Sequence, residues 1–268
     1  MNRIEAKMQE RQAAGEKAFI TYMTAGLPDM QGCMELLKAQ EEAGVDVVEL
    51  GIPFSDPIAD GPVIQDASYR SILKGTNLRM VFDAVEQVRN EGCEVPILFM
   101  LYYNTVLHYG EEAFVKKCKE IGVDGLIVPD LPYEEQAQLT RYMEDEEGPI
   151  LIQLVSPISG KRIGKIVEGA RGFIYCVSGM GVTGQGGEFY ASINEYLQSV
   201  KDVAKIPVMM GFGIRTAEDI APMKSIVDGA IVGSHFIELM EKSGYDCEIA
   251  KEYIRSFKAE MNEVSVSV

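Results

Sequence analysis

Ile121-Gly-Val-Asp-Gly-Leu-Ile-Val128 decides the reading of this chain. Phe114, Cys118 and Ile121 recur at helical spacing, Gly122 stops that helix, and residues 125–128 run on without polar alternation. Ala43-Gly-Val-Asp-Val-Val48 and Ser225-Ile-Val-Asp-Gly-Ala-Ile-Val232 repeat the same succession of helix end, turn and strand. A strand that is apolar at every position is buried on both faces, as in a parallel sheet covered by helices. Outward from these stretches, apolar runs at 19–23, 95–101, 150–155, 172–177 and 207–210 bring the expected strands to eight. Helix-period segments separate most of them. Met30, Met34 and Leu37 mark one that ends at Gly44, and Thr216 with Asp219 opens another in capping-box spacing. No linker interrupts the alternation, so the economical α/β fold is a single (β/α)8 TIM barrel over residues 1–268 with an extra N-terminal helix. A doubly wound sheet is the rival, but nothing like GxGxxG follows the first run.

The composition narrows the function. The 268 residues carry 25 Lys and Arg against 41 Asp and Glu, a net charge of −16, which opposes nucleic acids and anionic membrane surfaces. A bound phosphate would have to be held by local dipoles and donors. The longest apolar run, 95–103, falls far short of the roughly 20 residues needed to cross a bilayer. The first twelve residues are polar and mixed in charge, with no secretory core. Five cysteines without a CxxC pair, and two histidines, give no zinc-ligand pattern, so no metal is expected and a reduced, cytoplasmic setting fits.

In a barrel of this kind chemistry belongs at the C-terminal ends of the strands. The second strand ends in Val47-Val48-Glu49-Leu50, and the loop after it contains Asp56 and Asp60. A Glu shut in an apolar mouth keeps its proton, because desolvation disfavours the charged form; a more solvated Asp60 would stay ionised. The alternative is a Glu in a buried ion pair or on an outward-facing position, with two turn-forming aspartates. Gly211-Phe-Gly213 ends the seventh strand and Gly233-Ser234 the eighth, just ahead of a helix, where backbone N–H groups can hold a phosphate. Gly181-Val-Thr-Gly184 could add a third contact, and tight turns alone would also explain these glycines. Tyr102 and Tyr175 end the third and sixth strands, where a phenol faces either the cavity or the core. Lys161, Lys165 and Lys205 lie outside the apolar strands, which disfavours a Schiff base.

Taken together, Glu49-Leu-Gly-Ile-Pro-Phe-Ser-Asp-Pro-Ile-Ala-Asp-Gly-Pro62, Pro129-Asp-Leu-Pro132, Ser178 with Gly181-Val-Thr-Gly184, Gly211-Phe-Gly-Ile214 and Val232-Gly-Ser234 resemble the tryptophan synthase alpha-subunit family over essentially the whole chain. The resemblance implies retro-aldol cleavage of indole-3-glycerol phosphate to indole and glyceraldehyde 3-phosphate. It implies that Glu49 protonates C3 of the indole, that Asp60 accepts a hydrogen bond from the indole N–H, and that Tyr175 assists in positioning. It assigns the indole slot to Tyr22, Ile64, Tyr102 and Phe212, the closing loop to Thr183, and the phosphate to Gly184, Gly213, Gly233 and Ser234. It implies no cofactor in this chain, and an α2β2 assembly with a beta subunit that carries pyridoxal phosphate. Pro53, Asp56, Pro57, Asn104 and Pro132 match positions expected at that contact, although such residues also favour turns. Three features depart from the family pattern: Tyr22 where Phe is common, a glycine-rich stretch at 179–187, and His235 in place of a small residue. The alternatives are three. One is another phosphate-binding barrel, an isomerase or synthase that would need a catalytic Asp pair or a Lys/Glu pair on other strands and that the 49–62 segment does not match. The others are a stand-alone lyase that releases free indole, and a barrel kept only to activate the beta subunit.

Overall fold

All eight apolar runs form strands, each parallel to its neighbours. The computed structural model describes residues 1–177, 187–211 and 213–263. In chain order the strands are β1 (Ala18–Thr24), β2 (Val47–Gly51), β3 (Ile97–Met100), β4 (Gly125–Ile127), β5 (Ile150–Leu151), β6 (Gln153–Val155), β7 (Ile174–Cys176), β8 (Val208–Met210) and β9 (Gly229–Val232). The one difference from expectation is the run 150–155, which divides at Ile152: β5 pairs with β4, and β6 with β7. The hydrogen-bonding order is β5-β4-β3-β2-β1-β9-β8-β7-β6. Its two ends are separated by Ile152 alone, so the sheet closes into an α/β barrel of the TIM type.

The period of two along each strand sorts the side chains into two cores. Ile20, Val47, Leu98, Ile127, Met209 and Ile231 point inward and fill the barrel. Their neighbours in sequence, such as Val48, Leu50, Phe99 and Val232, point outward into a larger layer beneath the helices. The N-terminal helix Arg3–Ala14 closes one end of the barrel. Its only fully buried side chains, Ile4 and Met8, join the inner cluster, each contributing about 2 kcal/mol by leaving water. Asn2 ties that helix down by donating to the carbonyls of Asp124 and Gly148 at 2.7 and 2.8 Å.

The repeated Gly-Val-Asp and Ile-Val-Asp turns have a common cause at this end. Each Asp accepts a backbone N–H from the first or second residue of a neighbouring strand: Phe19 to Asp46 at 2.7 Å, Ile97 to Asp124 at 2.8 Å, Val208 to Asp228 at 2.7 Å. Each also holds a cation, respectively Lys258, Arg89 and Lys201. The self-similarity is thus a device that sets strand register at the N-terminal face. The opposite face is left free for loops.

Candidate active site

Glu49 shares the inward parity of Val47, so it enters the barrel at the layer above the packed core, opposite Tyr22 in the β1–β2 register. It is 1% exposed, and neither carboxyl oxygen has a hydrogen-bond partner among the described residues. No cation pairs with it there. Both alternatives for this residue, an ion pair and an outward position, are therefore set aside. Burial, with the Asp60 charge second, pushes Glu49 up to about 8 from an ordinary 4.5. An unpartnered buried acid of this kind stays protonated because its charged form has lost water and gained nothing.

Asp60 reaches the same mouth from the loop after β2. Burial raises it to about 6 from 3.8, and the Tyr102 hydroxyl, which donates to its Oδ2 at 2.9 Å, opposes that rise. The loop carboxylate is less solvated than its sequence context suggests. It is ionised at neutral pH with little to spare. The two carboxyls, drawn from one strand and its following loop, thus occupy different protonation states around pH 7.

Three phenols surround them. Tyr22 is 5% exposed and its hydroxyl lies over Gly51, where any Cβ would overlap it. Tyr175, inward on β7, lies over Gly211 in the same manner. Gly211 therefore makes room for an aromatic ring, and is not simply a phosphate-loop glycine. Burial, with the charges of Glu49 and Asp60 behind it, drives Tyr175 well above the usual phenol range, so it remains a neutral hydrogen-bonding group. Tyr102 stacks its ring on Phe54 at 5.1 Å, and its oxygen bonds to Asp60 as well as lining the mouth.

Across the mouth, Gly233 precedes the nine-residue helix Ser234–Lys242, whose first N–H groups have no side-chain cap. A Cβ on Gly233 would stand 3.7 Å from Tyr22 Cβ and 3.8 Å from Ile64 Cδ1, so Tyr22, Ile64 and this helix start meet at one point. Gly213 has φ +67°, a conformation that only glycine adopts without strain. His235 turns away: its ring lies 5.6 Å from that of Tyr253 on the helix Cys247–Asn262. Burial, with Arg215 second, holds it below the usual imidazole range. Ser178, Gly181, Thr183, Gly184 and Phe212 lie outside the described residues. Lys161, Lys165 and Lys205 are exposed, which removes the Schiff-base reading.

The interface candidates collect on one sector of the rim, after β2, β3 and β4. Asp56, Asn104 and Pro132 are exposed, and Pro53 and Pro57 half-buried. Sequence reasoning passed over two neighbours, Ile58 at 83% exposure and Leu107 at 51%. An aliphatic residue between Pro57 and Ala59, in a loop rich in Pro and Asp, was the available signal. Among the described residues no group of three or more His, Cys, Asp and Glu could hold a metal, and no helix is long and apolar enough to cross a membrane.

A neutral acid buried at the barrel mouth, with a second carboxyl beside it, is the arrangement expected of an α/β-barrel enzyme of the acid–base kind. The family model for the tryptophan synthase alpha chain matches residues 8–266. The tryptophan synthase alpha chain of Lachnospira eligens is 58% identical over 263 residues, covering 98% of this chain and all of that one. That of Alkaliphilus metalliredigens is 44% identical over 264 residues, 98% of each. The crystal structure of the Legionella pneumophila alpha chain superposes with a TM-score of 0.88 at 33% identity, covering both chains fully. This chain belongs to the tryptophan synthase alpha chain family, whose half-reaction is the cleavage of indole-3-glycerol phosphate, a carbon–carbon lyase step.

Proposed function

We propose that Glu49 and Asp60 carry that cleavage, with Tyr175 positioning the substrate between them. Indole is a poor carbanion leaving group, but protonation at C3 lets it depart as a neutral ring. Glu49 gives its proton to C3. Asp60 accepts the indole N–H and stabilises the positive charge that grows on the ring. The ionised Glu49 then receives the proton of the side-chain hydroxyl as the C3–C1′ bond breaks. Its electron pair returns to the ring, and the new carbonyl leaves as glyceraldehyde 3-phosphate. Glu49 ends the turnover as it began.

Tyr22, Ile64, Tyr102, Thr183 and Phe212 form the indole slot and its closure in this reading. The phosphate rests on Gly184, Gly213, Gly233 and Ser234, held by N–H groups and a helix N-terminus in a chain whose overall charge of −16 offers an anion no help. The chain works as one domain in the cytoplasm, without a cofactor of its own. Its partner is a beta subunit that carries pyridoxal phosphate, in an α2β2 assembly, docked on the rim of Pro53, Asp56, Pro57, Asn104 and Pro132. Exposed Ile58 and Leu107 on the same sector support that placement, since exposed aliphatic groups on such a rim gain by being covered.

The carrying observation is the Glu49 carboxyl, buried, aimed into the barrel and unpaired among the described residues. The test is indole release from indole-3-glycerol phosphate by wild type and Glu49→Gln, each with and without a beta subunit. Slow wild-type turnover that rises with the partner is expected, with a loss on the order of 10³-fold in the variant. High activity without the partner would mark a free-indole lyase. Stimulation of the beta subunit without cleavage would mark an activator.

A further inference from the structure

Tyr102 stands just after β3, 4% exposed, at the start of the helix Tyr103–Tyr109. The resemblance placed it in the wall of the indole slot. Its oxygen has a further occupation: it donates to Asp60 Oδ2 at 2.9 Å and accepts the Ala59 N–H at 2.9 Å. Among the described residues it is the only donor to the Asp60 carboxylate. Its ring is held from behind by Phe54, nearly parallel at 21°. We propose that Tyr102 is the positioning residue of Asp60, setting both the direction and the ionisation of that carboxylate through one hydroxyl shared with the Ala59 backbone. The proposal rests on the role of Asp60 given above.

The physical need is specific. A carboxyl in a desolvated mouth drifts toward its neutral form, and a neutral Asp60 could not stabilise charge on the indole ring. A donor to the carboxylate favours the ionised form. The Ala59 N–H, by bonding to the same oxygen, polarises the hydroxyl and strengthens that donation. The other groups around Asp60 work against ionisation or are neutral: Glu49 from β2, and the phenols of Tyr22 and Tyr175 from β1 and β7. Burial first, then the charge of Asp60, and least that of Asp130 favour retention of the Tyr102 proton. No described cation shares the task.

Carbon-13 NMR of aspartate-labelled free protein tests this without turnover, with the Asp60 signal assigned by its loss in Asp60→Asn. In Tyr102→Phe, which keeps the stack on Phe54, the Asp60 midpoint should move to higher pH by about 1, the effect of one hydrogen bond to a carboxylate. The acid limb of kcat/KM should move with it, while KM stays within about twofold. Should that variant not fold, 3-fluorotyrosine at position 102, a stronger donor, should move the midpoint to lower pH. An unmoved midpoint in whichever protein is measured, or an unmoved limb with only KM raised, would reduce Tyr102 to a slot wall. A shifted midpoint in a protein that cleaves no substrate would uphold the proposal and overturn the reaction assigned above.

Discussion

Replacing Glu49 with Gln should abolish the chemistry, and the variant should gain stability relative to the wild type as pH rises. Both oxygens of this carboxyl are buried without a partner among the described residues, so ionising it inside the barrel is unfavourable. In the unfolded chain it titrates near 4.5, in the folded chain at about 8. Between those values the native state binds the proton that the unfolded state has lost. Stability therefore falls as pH rises from the first value to the second, and levels off above. Integrated for one group, the wild type loses roughly 3 kcal/mol between pH 5 and pH 8 that a non-titrating side chain would retain. For a chain of this length that corresponds to roughly 6–10 °C in Tm. The assay is thermal or urea unfolding of both proteins at pH 5, 6, 7 and 8, plotted as their difference. An amide carries its own burial cost at every pH, so the slope of the difference is the readout, not its intercept. A difference independent of pH, or one that turns in favour of the wild type at pH 8, would refute a buried, unpaired acid at this position.

Three further outcomes follow from the geometry. Wild-type kcat/KM should be bell-shaped, failing below about 6 as Asp60 gains a proton and above about 8 as Glu49 loses one; a profile flat from pH 5 to 9 would remove both from the chemistry. Gly51→Ala would drive a methyl into the Tyr22 hydroxyl, lowering stability by about 1–3 kcal/mol, and Tyr22→Leu in the same chain should restore the melting temperature but not KM. Asp124→Asn leaves Arg89 buried without its charge partner and should cost on the order of 3 kcal/mol, read by urea unfolding, with kcat of the folded protein unchanged.

The fold was legible because strands buried on both faces leave an unbroken apolar signature, and helix stops at Gly44 and Gly122 punctuate it. Even so, the repeated Asp46, Asp124 and Asp228 read only as turn residues. Their common role, accepting an N–H at the start of an adjacent strand, exists only once distant strands lie side by side. The division of the fifth run at Ile152 was equally invisible, since it reflects a change of partner within one continuous apolar stretch.

At the site, Glu49 could be singled out by sequence because a carboxylate in an apolar strand violates the local pattern. Its direction could not, since inward and outward differ by one residue of register, and register is decided by pairing with β1 and β3. The bond from Tyr102 to Asp60 spans 42 residues, and Gly211 owes its identity to a ring 36 positions away. The sequence by itself determined the kind of fold and the strand that carries the acid, because hydrophobic period is a local property. Only the tertiary structure decided which groups lose water and which find a partner. Protonation follows from those two circumstances, and so from contacts between residues far apart in the chain.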